Sequence, residues 1–213
     1  MKGALKLRGK LIILFGIDGS GKSTILDMLK NSNLKNTVYT SCLKNALFEE
    51  ELYKAEKELH FSHKDIFSHE FKHLLHIGSV VYNMFNNILP LLNSGKNVIL
   101  DRYTICVKLF TDLFLGSSFA CLSNALECLP NPDFGIYFDT DVDTAFQRIE
   151  RRNTVTGTPS HYSESKESLL RKKAGYEAMI PNEPYRIERI NTNQEIEKVY
   201  SSILEILNQE LLS

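Results

Sequence analysis

The sequence predicts an α/β fold, in which a doubly wound, five-stranded parallel sheet is covered by helices on both faces. Two observations lead to this prediction. Short apolar runs of strand length alternate along the chain with longer segments of helical period, which is typical of βαβ units. The first four runs also end near a polar or acidic residue, which places chemical groups at the carboxyl edge of the sheet. The predicted strands are residues 11–15, 37–40, 97–100, 134–138 and 185–190.

The segments between these strands carry apolar residues at helical spacing. The longest pattern covers residues 66–92, and Asp141 or Asp143 can cap the helix that follows the fourth strand. No linker, internal repeat or low-complexity tract interrupts the alternation. Residues 1–213 are therefore expected to form one domain.

The composition is that of an ordinary globular protein, with 213 residues, 43% hydrophobic content, and 25 basic against 26 acidic side chains. Because the overall charge is close to zero, we expect no nucleic-acid or membrane partner, and an anionic ligand has to be held by a local site. The four cysteines form no CxxC pair, which favours reduced thiols in a cytoplasmic protein.

Residues 16–23, between the first strand and the first helix, read Gly-Ile-Asp-Gly-Ser-Gly-Lys-Ser and match the GxxxxGK[ST] pattern. The glycines let the backbone curl so that its N–H groups bind a polyphosphate, which predicts ATP as the ligand. Lys22, expected to be exposed on the loop, would reach the β- and γ-phosphates, and the Ser23 hydroxyl would bind Mg²⁺. The predicted ATP-binding residues of the loop are Gly16, Asp18, Gly19, Ser20, Gly21, Lys22, Ser23 and Thr24.

Charged residues near the loop complete the predicted site. Asp101 ends the apolar run of the third strand, where a carboxylate commonly binds Mg²⁺, and Asp18 lies inside the loop as a candidate catalytic residue. Asp139 ends the fourth strand, and a helix cap is the favoured role for it. Arg102 directly follows Asp101 and can bind an acceptor phosphate through two of its N–H groups.

A polar segment with glycine and proline separates Arg152 from Glu164, and we expect residues 151–164 to form a lid. Arg148, Arg151 and Arg152 lie close together on the helix before it. Phosphoryl transfer spreads negative charge over the moving group, so an arginine carried in by lid closure would stabilise the transition state. Arg151 and Arg152 are the candidates for this catalytic role.

Taken in order, these motifs resemble those of the thymidylate kinase family of nucleoside-monophosphate kinases. The resemblance covers nearly the whole chain and includes, besides the glycine-rich loop, residues 95–103, 132–139, 148–152 and 169–179. It implies a P-loop kinase fold, ATP as donor, Mg²⁺, a homodimer and, as the default reaction, phosphorylation of dTMP to dTDP. It also implies ATP contacts of Arg148 and Asn191, and acceptor contacts of Arg102, Tyr103 and His76.

Several residues depart from the family pattern, mainly on the acceptor side. His76 and Val80 stand where the family reads thymine with an aromatic ring and an arginine, and Val80 cannot donate to a base. Phe15 replaces a carboxylate, and Thr111 replaces a glutamine. Gly19 stands where one branch of the family has an arginine, so the chain resembles the branch that supplies its arginine from the lid. An atypical acceptor site is expected, with a different nucleotide, a small metabolite or an ATP-dependent switch as alternatives.

A rival function of another class comes from residues 69–73, which read His-Glu-Phe-Lys-His and match the HExxH pattern of zinc hydrolases. His76 continues the same helix face. No third ligand follows at a familiar spacing, which makes zinc hydrolysis the remote alternative. Metal binding by His69, His73 and His76 stays open at this stage.

Overall fold

The computed structural model describes residues 9–32, 34–43, 54, 57–58, 69–116, 121, 124–157 and 162–212. Its strands are β1 (Leu11–Phe15), β2 (Thr37–Ser41), β3 (Asn97–Asp101), β4 (Phe134–Asp139) and β5 (Arg186–Asn191). They form one sheet in the order β2-β3-β1-β4-β5, and each pair of neighbours is parallel. The predicted fold class is therefore confirmed.

The register of the strands brings their polar ends to one edge of the sheet. Asp101 at the end of β3 pairs with Leu14 of β1, and Asp139 at the end of β4 pairs with Asn191 of β5. Because β1 lies between β3 and β4, the loop that follows Phe15 opens between the two acidic strand ends. The strands β2 to β5 each run one residue further than predicted, since main-chain pairing continues through the polar residue at the end.

Helices cover both faces of the sheet. They are α1 (Lys22–Lys30), α2 (His69–Asn83), α3 (Leu89–Asn93), α4 (Thr104–Phe110), α5 (Val142–Thr156), α6 (Lys166–Met179) and α7 (Ile196–Leu212). A π-helical turn, Met84–Ile88, joins α2 to α3, so the long predicted helix is nearly continuous, and its predicted start at residue 66 lies outside the described residues.

The predicted lid begins later than expected. Helix α5 continues to Thr156 and ends at Gly157, whose φ of 67° is the left-handed conformation common at helix ends. Residues 153–156, expected in the loop after Arg152, therefore continue the helix, which corrects the predicted boundary. A short 3-10 turn, Tyr162–Glu164, leads into α6, where the Ser165 hydroxyl caps the helix by accepting the Ser168 N–H at 3.2 Å.

The side chains of β1 divide between two cores. Leu11, Ile13 and Phe15 face one layer of helices, Ile12 and Leu14 face the layer that contains α1 and α7, and all five are 0% exposed. Burial of each such side chain contributes about 1.5–3 kcal/mol to stability, which fixes the strand ends that carry the site. In the described part of the chain, no helix combines the length and hydropathy that spanning a bilayer requires.

Candidate active site

Three glycines shape the loop between β1 and α1. Gly16, Gly19 and Gly21 have φ angles of 151°, 77° and 90°, which residues with a Cβ rarely adopt. A Cβ on Gly19 would lie 2.3 Å from the carbonyl oxygen of Ala145 in α5. The loop therefore packs directly on α5, and a larger residue such as arginine does not fit at position 19.

Lys22 is buried inside this loop, with 6% of its surface exposed, so the expectation of an exposed lysine was wrong. Its Nζ donates to the carbonyl oxygens of Gly16 and Ile17 at 3.0 and 2.7 Å and to the Ser20 hydroxyl at 2.9 Å. The loop curls around the ammonium group, which the sequence pattern alone does not reveal. Burial, aided by the charge of Arg102, lowers the pKa of Lys22 to about 8.

Asp101 and Ser23 are the predicted Mg²⁺ ligands. The Asp101 oxygen Oδ1 is buried and accepts no hydrogen bond from any described residue. A buried carboxylate oxygen without a donor is destabilised, and a divalent cation would satisfy it. Ser23 lies exposed in the first turn of α1, so its hydroxyl is accessible to an ion. The residues present therefore fit Mg²⁺.

Asp18 binds two cations from distant parts of the chain. Its Oδ1 accepts a hydrogen bond from Arg102 Nη2 and its Oδ2 from Lys172 Nζ, both at 2.6 Å. Burial disfavours the carboxylate, but Arg102, Lys172 and Lys22 outweigh it and lower the pKa of Asp18 well below its usual range. Arg102 adopts a φ of 67°, a strained conformation that is common at functional sites. We call Asp18, Lys22, Arg102 and Lys172 the Asp18 cluster.

Lys172 was not among the predicted site residues. It lies on α6, and its second hydrogen bond goes to the carbonyl oxygen of Ser163 at 2.7 Å, in the turn at the end of the lid. No motif marks this lysine. The available signal was helical spacing, because Lys172 lies one turn before Tyr176, which is 2% exposed and faces the core.

The lid arginines make their hydrogen bonds outside the loop in this structure. Arg152 bonds Glu164 at 2.6 Å and Asn153 at 3.1 Å, and Arg148 donates to the carbonyl oxygen of Thr192 at 2.9 Å. Arg151 is exposed on α5. The Arg152–Glu164 pair joins the two ends of the lid, and the catalytic and ATP-binding roles of these arginines stay predictions.

A second set of charges surrounds Asp139. Lys173 Nζ bonds its Oδ1 at 2.8 Å, and Arg189 Nη1 bonds its Oδ2 at 3.0 Å and Glu177 at 2.7 Å. We call Asp139, Lys173, Glu177 and Arg189 the Asp139 cluster. The favoured role of Asp139 as a helix cap was wrong, because Asp141 occupies the N-cap position of α5.

Asn191, predicted to contact ATP, ends β5 on the strand next to Asp139. Its side-chain oxygen accepts the main-chain N–H of Asn193 at 2.9 Å, which orders the turn after the strand. The side chain is exposed at the carboxyl edge of the sheet, and its contact with ATP stays a prediction.

The predicted acceptor residues lie in different environments. Tyr103 is 0% exposed, and its hydroxyl donates to the carbonyl oxygen of Pro130 at 3.0 Å, so its side chain belongs to the core. His76 is exposed on α2 beside the Phe110 ring, at a centroid distance of 6.4 Å. Val80 is buried. Arg102 contacts the glycine loop through its bond to Asp18.

The HExxH pattern is not assembled as a metal site within the described residues, where no group of three metal-binding side chains occurs. His73 Nε2 lies 2.6 Å from the Thr111 hydroxyl, and the ring stacks on Phe110 at 5.1 Å. Burial lowers the pKa of His73 to about 4, so the imidazole is neutral in a packed environment. The side chain of His69 lies outside the described residues.

A central parallel strand, a glycine loop that encloses a lysine, and an Asp-Arg pair at the end of the next strand define a P-loop phosphotransferase. A model of the thymidylate kinase family matches residues 15–203. The chain belongs to the thymidylate kinase family. Members are nucleoside-monophosphate kinases with ATP as donor, so this protein is a phosphotransferase of that type.

Relatives and solved structures agree with this assignment. The chain is 26% identical over 212 residues to a thymidylate kinase of Ligilactobacillus salivarius, covering 95% of this chain and 99% of the relative. It is 28% identical over 210 residues to a probable thymidylate kinase of Pyrococcus horikoshii, covering 97% and 99%. A thymidylate kinase structure from Candida albicans superimposes with a TM-score of 0.68 at 22% identity, covering 95% of this chain and 92% of that one, and supports the fold.

Proposed function

We propose that the protein transfers the γ-phosphoryl group of ATP to dTMP and releases ADP and dTDP. The observation that carries this proposal is the position of Arg102, which reaches the glycine loop by bonding Asp18 at 2.6 Å. This contact brings a cation suited to the acceptor phosphate next to Lys22, which is suited to the donor phosphates. Membership in the thymidylate kinase family supports dTMP as the acceptor.

The chain contributes binding and charge, not covalent chemistry. The main-chain N–H groups of residues 16–24 hold the β- and γ-phosphates, and Lys22 neutralises them. Arg102 orients the phosphate of dTMP so that one of its oxygens attacks the γ-phosphorus in line, while the bond to the bridging oxygen of ADP breaks. An arginine of α5, Arg151 or Arg152, stabilises the charge of the transferred group once the lid closes.

Ser23 and Asp101 would hold Mg²⁺ in this site, and the ion would supply positive charge at the phosphates. The buried Asp101 oxygen without a hydrogen-bond donor among the described residues supports this role. A titration of activity with MgCl₂ after chelation tests it, and full turnover without a divalent ion would contradict it.

The exposed face of α2 supports a homodimer. Phe71, Leu74 and Tyr82 of α2, and Phe85 of the π-helical turn that follows, are spaced as on one helix face and are 42%, 48%, 42% and 48% exposed. Gly78 lies on the same face, with nothing within 4 Å of a Cβ added to it, so a second helix can approach closely. A second copy is the proposed occupant because the same patch can pair with itself across a two-fold axis. Light scattering should give a dimer for the wild type and a monomer for Leu74→Glu, and a monomeric wild type would contradict the proposal.

We also propose a cytoplasmic location. Cys42, Cys106, Cys121 and Cys128 are all free thiols, which favours a reducing compartment.

A direct test of the reaction measures ADP release and the mass shift of the acceptor for dTMP and for other nucleoside monophosphates. The proposal predicts dTDP as the product with the highest kcat/KM. ADP release without any phosphorylated acceptor would instead indicate an ATP-dependent switch and overturn the proposed transfer.

A further inference from the structure

The Asp18 cluster gathers more positive than negative charge. Among the described residues that bond Asp18 or shift its pKa, three are cations: Lys22, Arg102 and Lys172. The carboxylate of Asp101 also acts on Lys22 and Arg102, which still leaves the group one positive charge in excess. Partly buried charges without partners are costly, so an anion is the ligand that would stabilise this arrangement.

Asp18 and Lys22 belong to the glycine loop and Arg102 to the Asp101-Arg102 pair, but Lys172 belongs to neither motif. It comes from α6, and its side chain is only 15% exposed, compared with 30% for Arg102. Lysine is seldom so buried unless its charge is used. The pairing with Asp18 accounts for part of this charge, but Asp18 is shared with Arg102 through its other oxygen.

The donors of Lys172 are not all used. An ammonium group has three N–H donors, and the described residues accept two of them, at Asp18 Oδ2 (2.6 Å) and the Ser163 carbonyl oxygen (2.7 Å). Arg102 likewise offers five donors, of which the bond to Asp18 uses one. The two cations bond the two oxygens of one carboxylate, which brings both of them, with donors to spare, to the same place beside the glycine loop.

The lid arginines give a contrast. Arg152 is paired with Glu164 and Arg148 with the Thr192 carbonyl oxygen, whereas Lys172 is already bonded to the glycine loop. Because Lys172 also bonds the turn at the end of the lid, it connects the loop with the segment expected to move. A cation in this place acts on the phosphates whether or not the lid arginines have moved in.

We infer that Lys172 is a substrate-binding residue, which contacts the phosphate of the nucleoside monophosphate beside Arg102 and helps to neutralise the group in transfer. The inference rests on the proposed function. A dianionic phosphate matches the excess charge of the cluster, whereas the sugar and base of the acceptor do not require a second cation.

The chain offers a matched control. The next residue, Lys173, lies on the same helix and also bonds one carboxylate, Asp139 at 2.8 Å, and one carbonyl oxygen, that of Thr140 at 2.9 Å. Lys172→Met and Lys173→Met therefore remove the same chemical group and the same types of contact. Lys172→Arg keeps the charge with a different geometry.

The experiment compares wild type, Lys172→Met, Lys172→Arg and Lys173→Met in two assays. In steady-state kinetics, Lys172→Met should lower kcat/KM for dTMP by about 10- to 100-fold while changing KM for ATP by less than about threefold. In calorimetry, the ratio of the thymidine Kd to the dTMP Kd should fall by about tenfold, since only dTMP carries the phosphate. Lys172→Arg should recover part of both losses, and Lys173→Met should resemble the wild type.

Equal losses in Lys172→Met and Lys173→Met would overturn the inference, because they would indicate a general effect on α6. An unchanged ratio of thymidine and dTMP affinities in Lys172→Met would overturn it as well. If the wild type phosphorylates another nucleoside monophosphate and not dTMP, only the proposed acceptor fails, and the same comparison is made with that monophosphate and its nucleoside. A wild type that phosphorylates no monophosphate would overturn both proposals.

Discussion

Two carboxylates near the carboxyl edge of the sheet are each bound by one lysine of α6 and one arginine. The pairs are Lys172 and Arg102 on Asp18, and Lys173 and Arg189 on Asp139. Adjacent residues of one helix thus serve two clusters of nearly the same composition. The two clusters differ in the residues that join each pair.

The Asp139 cluster is balanced. Glu177 binds Arg189 on its other side, so the two cations of the cluster meet two carboxylates, and the Asp141 carboxylate lies a further 4.0 Å from Lys173. The Asp18 cluster is joined instead by a third cation, Lys22, held inside the glycine loop. We therefore expect the Asp139 cluster to act as a structural network and the Asp18 cluster to bind an anion.

The largest expected effect comes from the cation that the Asp139 cluster lacks. Lys22→Met should lower kcat/KM by about 10³-fold, because the donor phosphates lose their buried positive charge. The fold should persist, since the lowered pKa of Lys22 shows that burial disfavours its charge in the folded protein. Turnover assays and urea unfolding check both statements. Activity within tenfold of the wild type would remove Lys22 from the site.

The arginines test the comparison directly. Arg102→Met should lower kcat/KM for dTMP by about 100-fold, because it removes the acceptor phosphate's bidentate partner. Arg189→Met removes a cation from the balanced Asp139 cluster. Because the Arg189 side chain is 46% exposed, the activity of this variant should stay within about threefold of the wild type. Similar losses in both variants would show that the two clusters do not divide their roles in this way.

The pH dependence of ATP binding sharpens the account of Lys22. Because the pKa of Lys22 in the free protein is about 8, the affinity for ATP should fall as the pH rises above that value and the ammonium loses its proton. Arg102 helps to lower this pKa, so Arg102→Met should move the decline to higher pH. Calorimetric titrations with ATP over a pH series measure both midpoints, and coincident midpoints would contradict the coupling.

The smallest effect concerns acid stability. The pKa of Asp18 is depressed in the folded state, so its stabilising contribution is present above the unfolded value of about 3.9 and is lost as the pH falls below it. At neutral pH the wild type should therefore be more stable than Asp18→Asn. The difference between their free energies of unfolding should shrink by about 1 kcal/mol for each pH unit below about pH 4. Urea titrations measure the gap. Asp27→Asn, which alters an exposed pair with Lys30, is the control and should show little change.

Local patterns made the sheet, the glycine loop and the Asp101-Arg102 pair predictable from the sequence. Each depends on residues close together in the chain: alternating apolar runs, a spacing of glycines, or a carboxylate directly after a strand. The position of Asp101 and Arg102 beside the loop followed from the same logic, because parallel strands end at one edge.

Other features depend on how distant elements pack, and no local pattern encodes them. Lys172 reaches Asp18 only because α6 lies across the loop, a contact between residues 154 positions apart. The burial of Lys22 depends on the curl of the whole loop, and the buried Tyr103 bonds the carbonyl oxygen of Pro130, 27 positions away. The end of α5 was placed too early because its last turn is polar, although Gly157 provides a helix stop.

The central claim is that the Asp18 cluster, and not the Asp139 cluster, holds the phosphate to which the phosphoryl group is transferred. A crystal structure of the protein with ADP and dTMP tests it most directly. The account predicts the phosphate of dTMP within hydrogen-bond distance of Arg102 and Lys172, with both side chains still close to Asp18. A phosphate bound to Lys173 or Arg189, or one without contact to Arg102, would contradict it.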